Sequence, residues 1–422
     1  MQTAVNEPAG GANRLAAVKR IYLYVVAFVS LAAMLASADS LLGFLSRAWL
    51  GDVVIVTPRA VASSAGLLLV ATPIFLLHWG LAQRGHETPE ERDSVLRKLF
   101  LYLASALSVI FLAINVYSIV DGSIAILLGA DRTSNDLLVA WPQWVLFGAV
   151  NAALVGYWAH VLRTDGDFGT EHRGGRVVRQ LYTLIAGFSG LVLILWGGAS
   201  LVNVLLTLAV DQWSNNLING YAWWATSISG ACAQLLVGSW VAWANRAQWR
   251  EVVKIHPMEG QAPSRRIYLY IAIVLGAIAT LTPAALVLRE GLLMLFGTGG
   301  GELVDLLRRM ITPISFVPIG LGIWIWHSRV LHQEAAAFGE SQQGAAVRRL
   351  YFYLVAATGL ALTWVGAVEL LNAVLDWVIS SGDRIWTQPL ANGLSLIAVG
   401  APVWALHWRG ATDRTPAEYP GR

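Results

Sequence analysis

An aromatic residue followed three positions later by histidine recurs four times, as Phe75/His78, Tyr157/His160, Trp324/His327 and Trp404/His407. Imidazole is the usual axial ligand of haem and a common metal ligand, so the pattern raises haem or metal ligation first. A structural account competes with it: histidine near a helix C-terminus interacts with the last carbonyls and the helix dipole, while the aromatic rings lie at a lipid–water interface. The structural account carries more weight, because a bis-histidine haem needs two facing imidazoles and none of these segments brings a second buried histidine. A fifth copy of the pattern aligns with Trp240 and Trp243, where the imidazole is lost. In two copies the histidine precedes tryptophan, His78-Trp79 and His407-Trp408, with Pro73 and Pro402 five residues earlier. Four residues at one depth could also serve a ligand bound at the cytoplasmic surface.

Other chemistry is sparse. Asn151 and Gln234 each lie nine residues before the repeated His/Trp position and are the polar candidates at mid-depth, Gln234 with Ser227, Ser229, Gly230 and Cys232 nearby. Buried amides on neighbouring membrane helices usually hydrogen-bond to one another; a substrate site is the alternative. Asp165-Gly166-Asp167 could hold a divalent cation against a phosphate, but a solvated turn explains it better. HExxH and GxSxG are absent, and Gly297 to Gly301 lacks the strand, helix and lysine of a phosphate loop. His86, His172, His256 and His332 fall in connecting segments and read as solvated. Asp305 with Arg308 and Arg309 has the spacing of a solvated helical ion pair. Pro283, Pro313 and Pro318 could kink their helices, as in many transport sites and many passive bundles. No catalytic residue, metal site or cofactor is expected.

The elements that position these residues come from a repeat. Five segments open on basic and aromatic residues, among them Lys19-Arg20-Ile21-Tyr22 and Arg348-Arg349-Leu350-Tyr351. Their anchors Tyr22, Phe100, Tyr182, Tyr268 and Tyr351 follow one another at a nearly constant spacing, so the chain reads as five copies of one unit. Each copy holds two long apolar stretches, such as Ile21 to Leu45 and Val61 to Leu81, continuous rather than alternating. Each stretch is long enough to cross hydrocarbon as a helix, which predicts ten transmembrane helices, an all-α integral membrane protein of five parallel two-helix repeats. Apolar residues make up 56% of the chain and charged residues 13%, about half the soluble norm. Trp79, Trp243 and Trp408, with the five anchors, are expected at the interfaces, in keeping with 19 tryptophans. The single Cys232 excludes an internal disulfide, and a net charge of +3 gives no basis for a nucleic-acid partner.

Termini and inter-repeat linkers carry 22 Lys and Arg against 7 for the loops within repeats and their flanks, which predicts both termini in the cytoplasm. The segment from Met1 to Ala17 lacks a cleavable signal pattern, so the first apolar stretch reads as a retained anchor. Asp39, Glu369, Arg289, Glu290 and Asp121 fall near the outer edge of the apolar core, where solvation or local pairing explains them better than ion entry. At mid-depth the first helices carry Ser30, Ser108, Gly190, Gly276 and Gly359. The absence of ionisable groups there disfavours proton-coupled carriers and voltage sensors. Residues 1–17 and 411–422 are expected to be tails flanking repeats at 18–96, 97–177, 178–263, 264–346 and 347–410. A row or a ring of hairpins is equally compatible with the pattern.

The segments Arg-Arg-Leu-Tyr-Phe-Tyr-Leu-Val at Arg348 and Val-Trp-Ala-Leu-His-Trp at Val403 resemble an uncharacterised family of bacterial multi-pass membrane proteins known only as a domain of unknown function. The resemblance covers residues 18 to 409, with departures at Trp243 and Leu184 in the third copy. It implies a bacterial cytoplasmic (inner) membrane and supplies no activity. The leading functional expectation is a non-enzymatic membrane scaffold or accessory subunit, which would require a further membrane protein as partner besides the lipid bilayer. The alternatives are a carrier or channel for a small or lipidic solute and, third, a haem- or pigment-binding redox subunit using the repeated histidines.

Overall fold

A long apolar run in hydrocarbon must satisfy its backbone hydrogen bonds internally, and the helix does so within one segment. The computed structural model describes residues 9–50, 57–84, 92, 94–130, 134–166, 173–214, 223–298, 302–339, 341–379 and 384–412. Among these the regular structure is helical, with no strand. The ten helices are α1 (Ala9–Leu50), α2 (Pro58–Arg84), α3 (Val95–Leu127), α4 (Ser134–Thr164), α5 (Arg173–Trp213), α6 (Trp223–Ile255), α7 (Pro263–Leu295), α8 (Leu303–Phe338), α9 (Gln342–Ile379) and α10 (Thr387–Thr412). Each contains a span long and apolar enough to cross a membrane, so the chain is an all-α integral membrane protein. Helix continues through Pro73, Pro142, Pro283, Pro313, Pro318 and Pro402. The expectations placed on His86, His172, Asp167 and Gly299 to Gly301 lie outside the described residues.

Contacts divide the chain into two units, Met1–Ile185 and Ala186–Arg422, the division falling inside α5. In the first unit α1 pairs with α2 and α3 with α4, and α1 also touches α3 and α4. Tyr24, Ala27, Leu31 and Leu35 recur every three or four residues on one face of α1 and meet Phe75, Trp79 and Ala82 of α2 in the same core. In the second unit α7 pairs with α8 and α9 with α10, and α7 contacts both members of the last pair. Leu191 and Leu195 of α5, Ala272 and Ala279 of α7 and Ile323 of α8 form its core cluster.

Lipid is as apolar as leucine, so helices associate here through close packing rather than by escaping water. Glycine supplies that closeness in the last three hairpins. A Cβ on Gly190 would lie 3.0 Å from the Ala242 nitrogen and 3.1 Å from the Gly238 carbonyl oxygen; on Gly276, 2.6 Å from the Trp324 nitrogen and 2.8 Å from the Gly320 oxygen; on Gly359, 2.5 Å from the Trp404 nitrogen and 3.0 Å from the Gly400 oxygen. The contact repeats seven residues on in two of them, where Gly197 meets Ala231 and Leu235, and Gly366 meets Gly393 and Ile397. In the second hairpin the equivalent small residue, Ser108, is fully buried and its hydroxyl accepts a 3.1 Å hydrogen bond from the Trp158 indole. Four of the five small mid-depth residues, Ser108, Gly190, Gly276 and Gly359, are therefore points of helix contact.

Candidate functional site

Three of the repeated histidines fold back on their own helices. His78, His327 and His407 each donate from Nδ1 to the carbonyl four residues back, Ile74, Ile323 and Val403, at 2.8 Å. A carbonyl oxygen has two lone pairs, so it can take this bond beside the helical one, and the other ring nitrogen is thereby the acceptor in the neutral ring. In the first and last hairpins Nε2 faces the anchor tyrosine of the paired helix, Tyr22 at 3.4 Å and Tyr351 at 3.3 Å, with the rings edge-on. Tyr268 and His327 keep the edge-on arrangement at 5.9 Å. The second hairpin has Phe100 in place of the tyrosine, and its His160 is exposed. Anchor and histidine thus form one clasp joining the basic ends of a hairpin, and haem ligation by His78 or His407 would have to break it.

The glycine contacts correct the alignment in the third hairpin. Ala242 stands against Gly190 as Trp324 stands against Gly276 and Trp404 against Gly359. Three residues on from each are Asn245, His327 and His407, so the counterpart of the histidine is Asn245, two residues beyond the expected Trp243. Asn245 is 9% exposed and its Oδ1 has no hydrogen-bond partner among the described residues. Trp243, freed from the helix interface, is exposed. Tyr182, the anchor of this hairpin, bonds to Ser105 and lies 5.2 Å from the Tyr102 ring.

Three residues before the anchors of the second and fourth hairpins, the arginines that open these repeats are buried in ion pairs. Arg97 makes a bidentate pair with Asp165, Nε at 2.5 Å and Nη2 at 2.9 Å, with both side chains at 0% exposure. Nη2 also donates to Gln83 of α2 at 2.9 Å, and the guanidinium lies 5.6 Å from the centre of the Trp79 ring. Arg265 pairs with Glu334 at 2.8 and 3.2 Å and sits 4.2 Å from the Trp249 ring centre. Asp165 is thus not a residue of a solvated turn. The chain does carry a signal for these pairs: a basic residue stands three before every anchor, and in both hairpins the carboxylate follows it at nearly the same separation, at the end of the second helix.

Aromatics fill the basic end of the first unit. Trp79 stacks on Phe100 at 5.1 Å, meets Trp158 edge-on at 5.4 Å and donates to the Tyr157 hydroxyl at 2.7 Å. Trp79 and Phe100, expected at a lipid interface, are buried in this cluster, because their rings complete the core between the two hairpins. Tyr22, Trp243 and Trp408 are exposed, while Tyr182, Tyr268 and Tyr351 are half-buried.

In the second unit a cavity of about 490 Å³ opens between α5, α6, α7 and α8. Leu191, Ile194, Ile319 and Ile323 line its apolar part, and Asn245, Arg246, Arg265 and His327 its polar end. Arg246 stacks 5.4 Å from the Trp326 ring centre, and no carboxylate pairs with it among the described residues. Gly187 lets α5 approach this end: a Cβ there would lie 2.5 Å from Asn245 Nδ2 and 2.8 Å from the Tyr268 ring.

The amides expected at mid-depth fall in different units, Asn151 in the first and Gln234 in the second. Asn151 is fully buried and donates to its own helix, at the Phe147 carbonyl 2.8 Å away. Gln234 is half-buried against Gly197 and belongs to the other unit. Corrected for register, it lies eleven residues before Asn245, so the matched depth with Asn151 disappears. At the opposite ends of the helices, Gln143 donates to Asp39 at 3.0 Å, Arg289 pairs with Glu290 and bonds Asn392, and Arg309 reaches Glu290 at 3.2 Å. Arg308 pairs with Asp211 of α5 at 2.9 Å rather than with Asp305.

Ten apolar helices in repeated hairpins, clasped by side chains at their basic ends, define a multi-pass membrane protein of tandem hairpins. The chain belongs to the family described as Domain of unknown function (DUF5671), whose model matches residues 20–150, 180–312 and 349–421. Each match starts in the first helix of an odd-numbered hairpin, and the first two run on into an even-numbered one. The family unit is therefore a pair of hairpins, in keeping with the matching ion pairs of the second and fourth. No match to the chain was found among curated proteins or solved structures.

Proposed function

We propose that this protein is a non-enzymatic scaffold or accessory subunit within a membrane complex. The observation that carries the reading is how its ionisable groups are used: Arg97 on Asp165, Arg265 on Glu334 and Arg308 on Asp211, each joining one helix to another. Groups committed in this way hold a shape and are not poised for proton transfer or nucleophilic attack. The excess of Lys and Arg on one set of loops supports cytoplasmic termini, and the family resemblance supports a bacterial inner membrane. Mild extraction followed by native mass spectrometry tests the proposal. Stoichiometric recovery of a second membrane protein is expected, and repeated recovery of the chain without one overturns it.

The cavity favours a second reading, a carrier or channel for a small or lipidic solute, since transport sites lie between helices and combine apolar walls with few polar groups. Its test is flux or lipid transfer across liposomes containing the purified chain, with a rate equal to protein-free liposomes removing it.

A further inference from the structure

The cavity between α5, α6, α7 and α8 has two ends of different chemistry. Its apolar part is walled by Leu191, Ile194, Ile319 and Ile323, and its volume of about 490 Å³ lies within the ordinary range for ligand pockets. Its polar end presents three side chains that hydrogen-bonding within the protein does not exhaust. The Asn245 Oδ1 is buried without a partner among the described residues, in a side chain of a residue only 9% exposed, and such an acceptor is costly when left unmade. Arg246 has an aromatic face beneath it and no carboxylate within ion-pair distance among the described residues; Glu334 acts on it only from farther away and is itself paired with the neighbouring Arg265. His327 is held by Nδ1 to its own helix, which leaves Nε2 as an acceptor on the cavity wall.

An occupant that satisfies all three supplies an anionic group for Arg246, hydroxyl donors for Asn245 and His327, and an apolar chain for the rest. We propose that this cavity binds an anionic glycerophospholipid whose headgroup carries free hydroxyls, with the phosphate at Arg246 and one acyl chain along the apolar wall. Two further features fit a ligand arriving from the bilayer. Trp243 and Trp326 stand at the cavity 69% and 56% exposed, as tryptophans at the headgroup level do. The site also lies at the basic end of its hairpins, where pockets between membrane helices favour acidic headgroups. The Asn245 found in place of histidine provides an amide that both donates and accepts, at the position where the first and last hairpins have a closed clasp.

The site requires no partner protein, so its failure is separable from that of the scaffold reading. Native mass spectrometry of the delipidated full chain, titrated with phosphatidylglycerol or phosphatidylcholine of equal chain length, reads it directly. One retained phosphatidylglycerol per chain is expected at concentrations where phosphatidylcholine leaves none. Arg246→Gln and Asn245→Leu should each weaken retention about tenfold, the loss of one good polar contact, and Arg329→Gln, which removes an exposed charge elsewhere on α8, should not. Gly322→Leu is the second variant: a Cβ at Gly322 meets open space and the residue lines the cavity, so this chain should fold and exclude the lipid. Equal retention of both lipids, or undiminished retention in Arg246→Gln and Gly322→Leu, overturns the proposal. Displacement of the lipid by glycerol 3-phosphate at equal concentration would assign the site to a free phosphate ester and overturn the lipid assignment.

Discussion

Arg97 and Asp165 are charges taken out of water, and their energetics are asymmetric. Removing both costs little when apolar groups fill the space, whereas removing one strands the other in a medium that solvates it poorly. Arg97→Leu should therefore destabilise the first unit by about 3–5 kcal/mol, and the double variant Arg97→Met/Asp165→Leu should recover most of that. Thermal unfolding in detergent of the two chains side by side measures the difference. The Tyr–His clasps are weaker. Tyr351 reaches His407 at 3.3 Å in a partly exposed setting, so Tyr351→Phe should cost no more than about 1 kcal/mol in the same assay. The contrast separates residues that hold the hairpins from residues that trim their ends.

At the scale of helices, association rests on backbone approach. Gly276→Ala would drive a methyl to within 2.6 Å of the Trp324 nitrogen; because the obstacle is backbone, α7 and α8 must separate and lose contacts along their length. A fall of several degrees in the unfolding midpoint is expected, alongside an unchanged or raised midpoint for Gly66→Ala, where a Cβ meets nothing within 4 Å and alanine favours the helix by about 0.5–1 kcal/mol. Equal effects of the two substitutions would count against glycine-mediated packing. The contacts also set the alignment between repeats. Spacing along the chain puts Trp243 opposite the other histidines, since loop lengths differ among hairpins and a count of residues absorbs those differences. Backbone contacts do not, and they put Asn245 there.

For the whole molecule, the even number of crossings per repeat and the excess of basic residues on one set of loops make a topological prediction. In a Cys232→Ser background, Arg250→Cys and Arg409→Cys should react with a membrane-impermeant maleimide from one side of sealed vesicles, and Arg384→Cys and Thr298→Cys from the other. Labelling of Arg250→Cys and Arg384→Cys from the same side would contradict the five-hairpin topology. The family matches add a longer period: odd hairpins open each copy, and the buried Arg97 and Arg265 pairs belong to even ones. The third hairpin, which opens the second copy, departs from its odd counterparts at the clasp and contributes Asn245 and Arg246 to the cavity instead.

Helix number, repeat length and the small mid-depth residues are legible in the chain itself, because hydrocarbon imposes one solution on a long apolar segment and repeats it wherever the segment recurs. Glycine at the same step in three copies signals close contact for the same reason. What the chain alone leaves undecided are the partners of individual side chains. Arg97 and Arg265 read only as basic residues opening their repeats, yet Asp165 and Glu334, far along the chain, approach to 2.5 and 2.8 Å from them. Trp79 and Phe100 read as interface rings, and the neighbouring hairpin buries them. Asn245 carries no signal in a one-dimensional alignment. Such outcomes depend on which face of one helix meets which face of another, a relation set by packing between elements distant in sequence, and only the tertiary structure decides it.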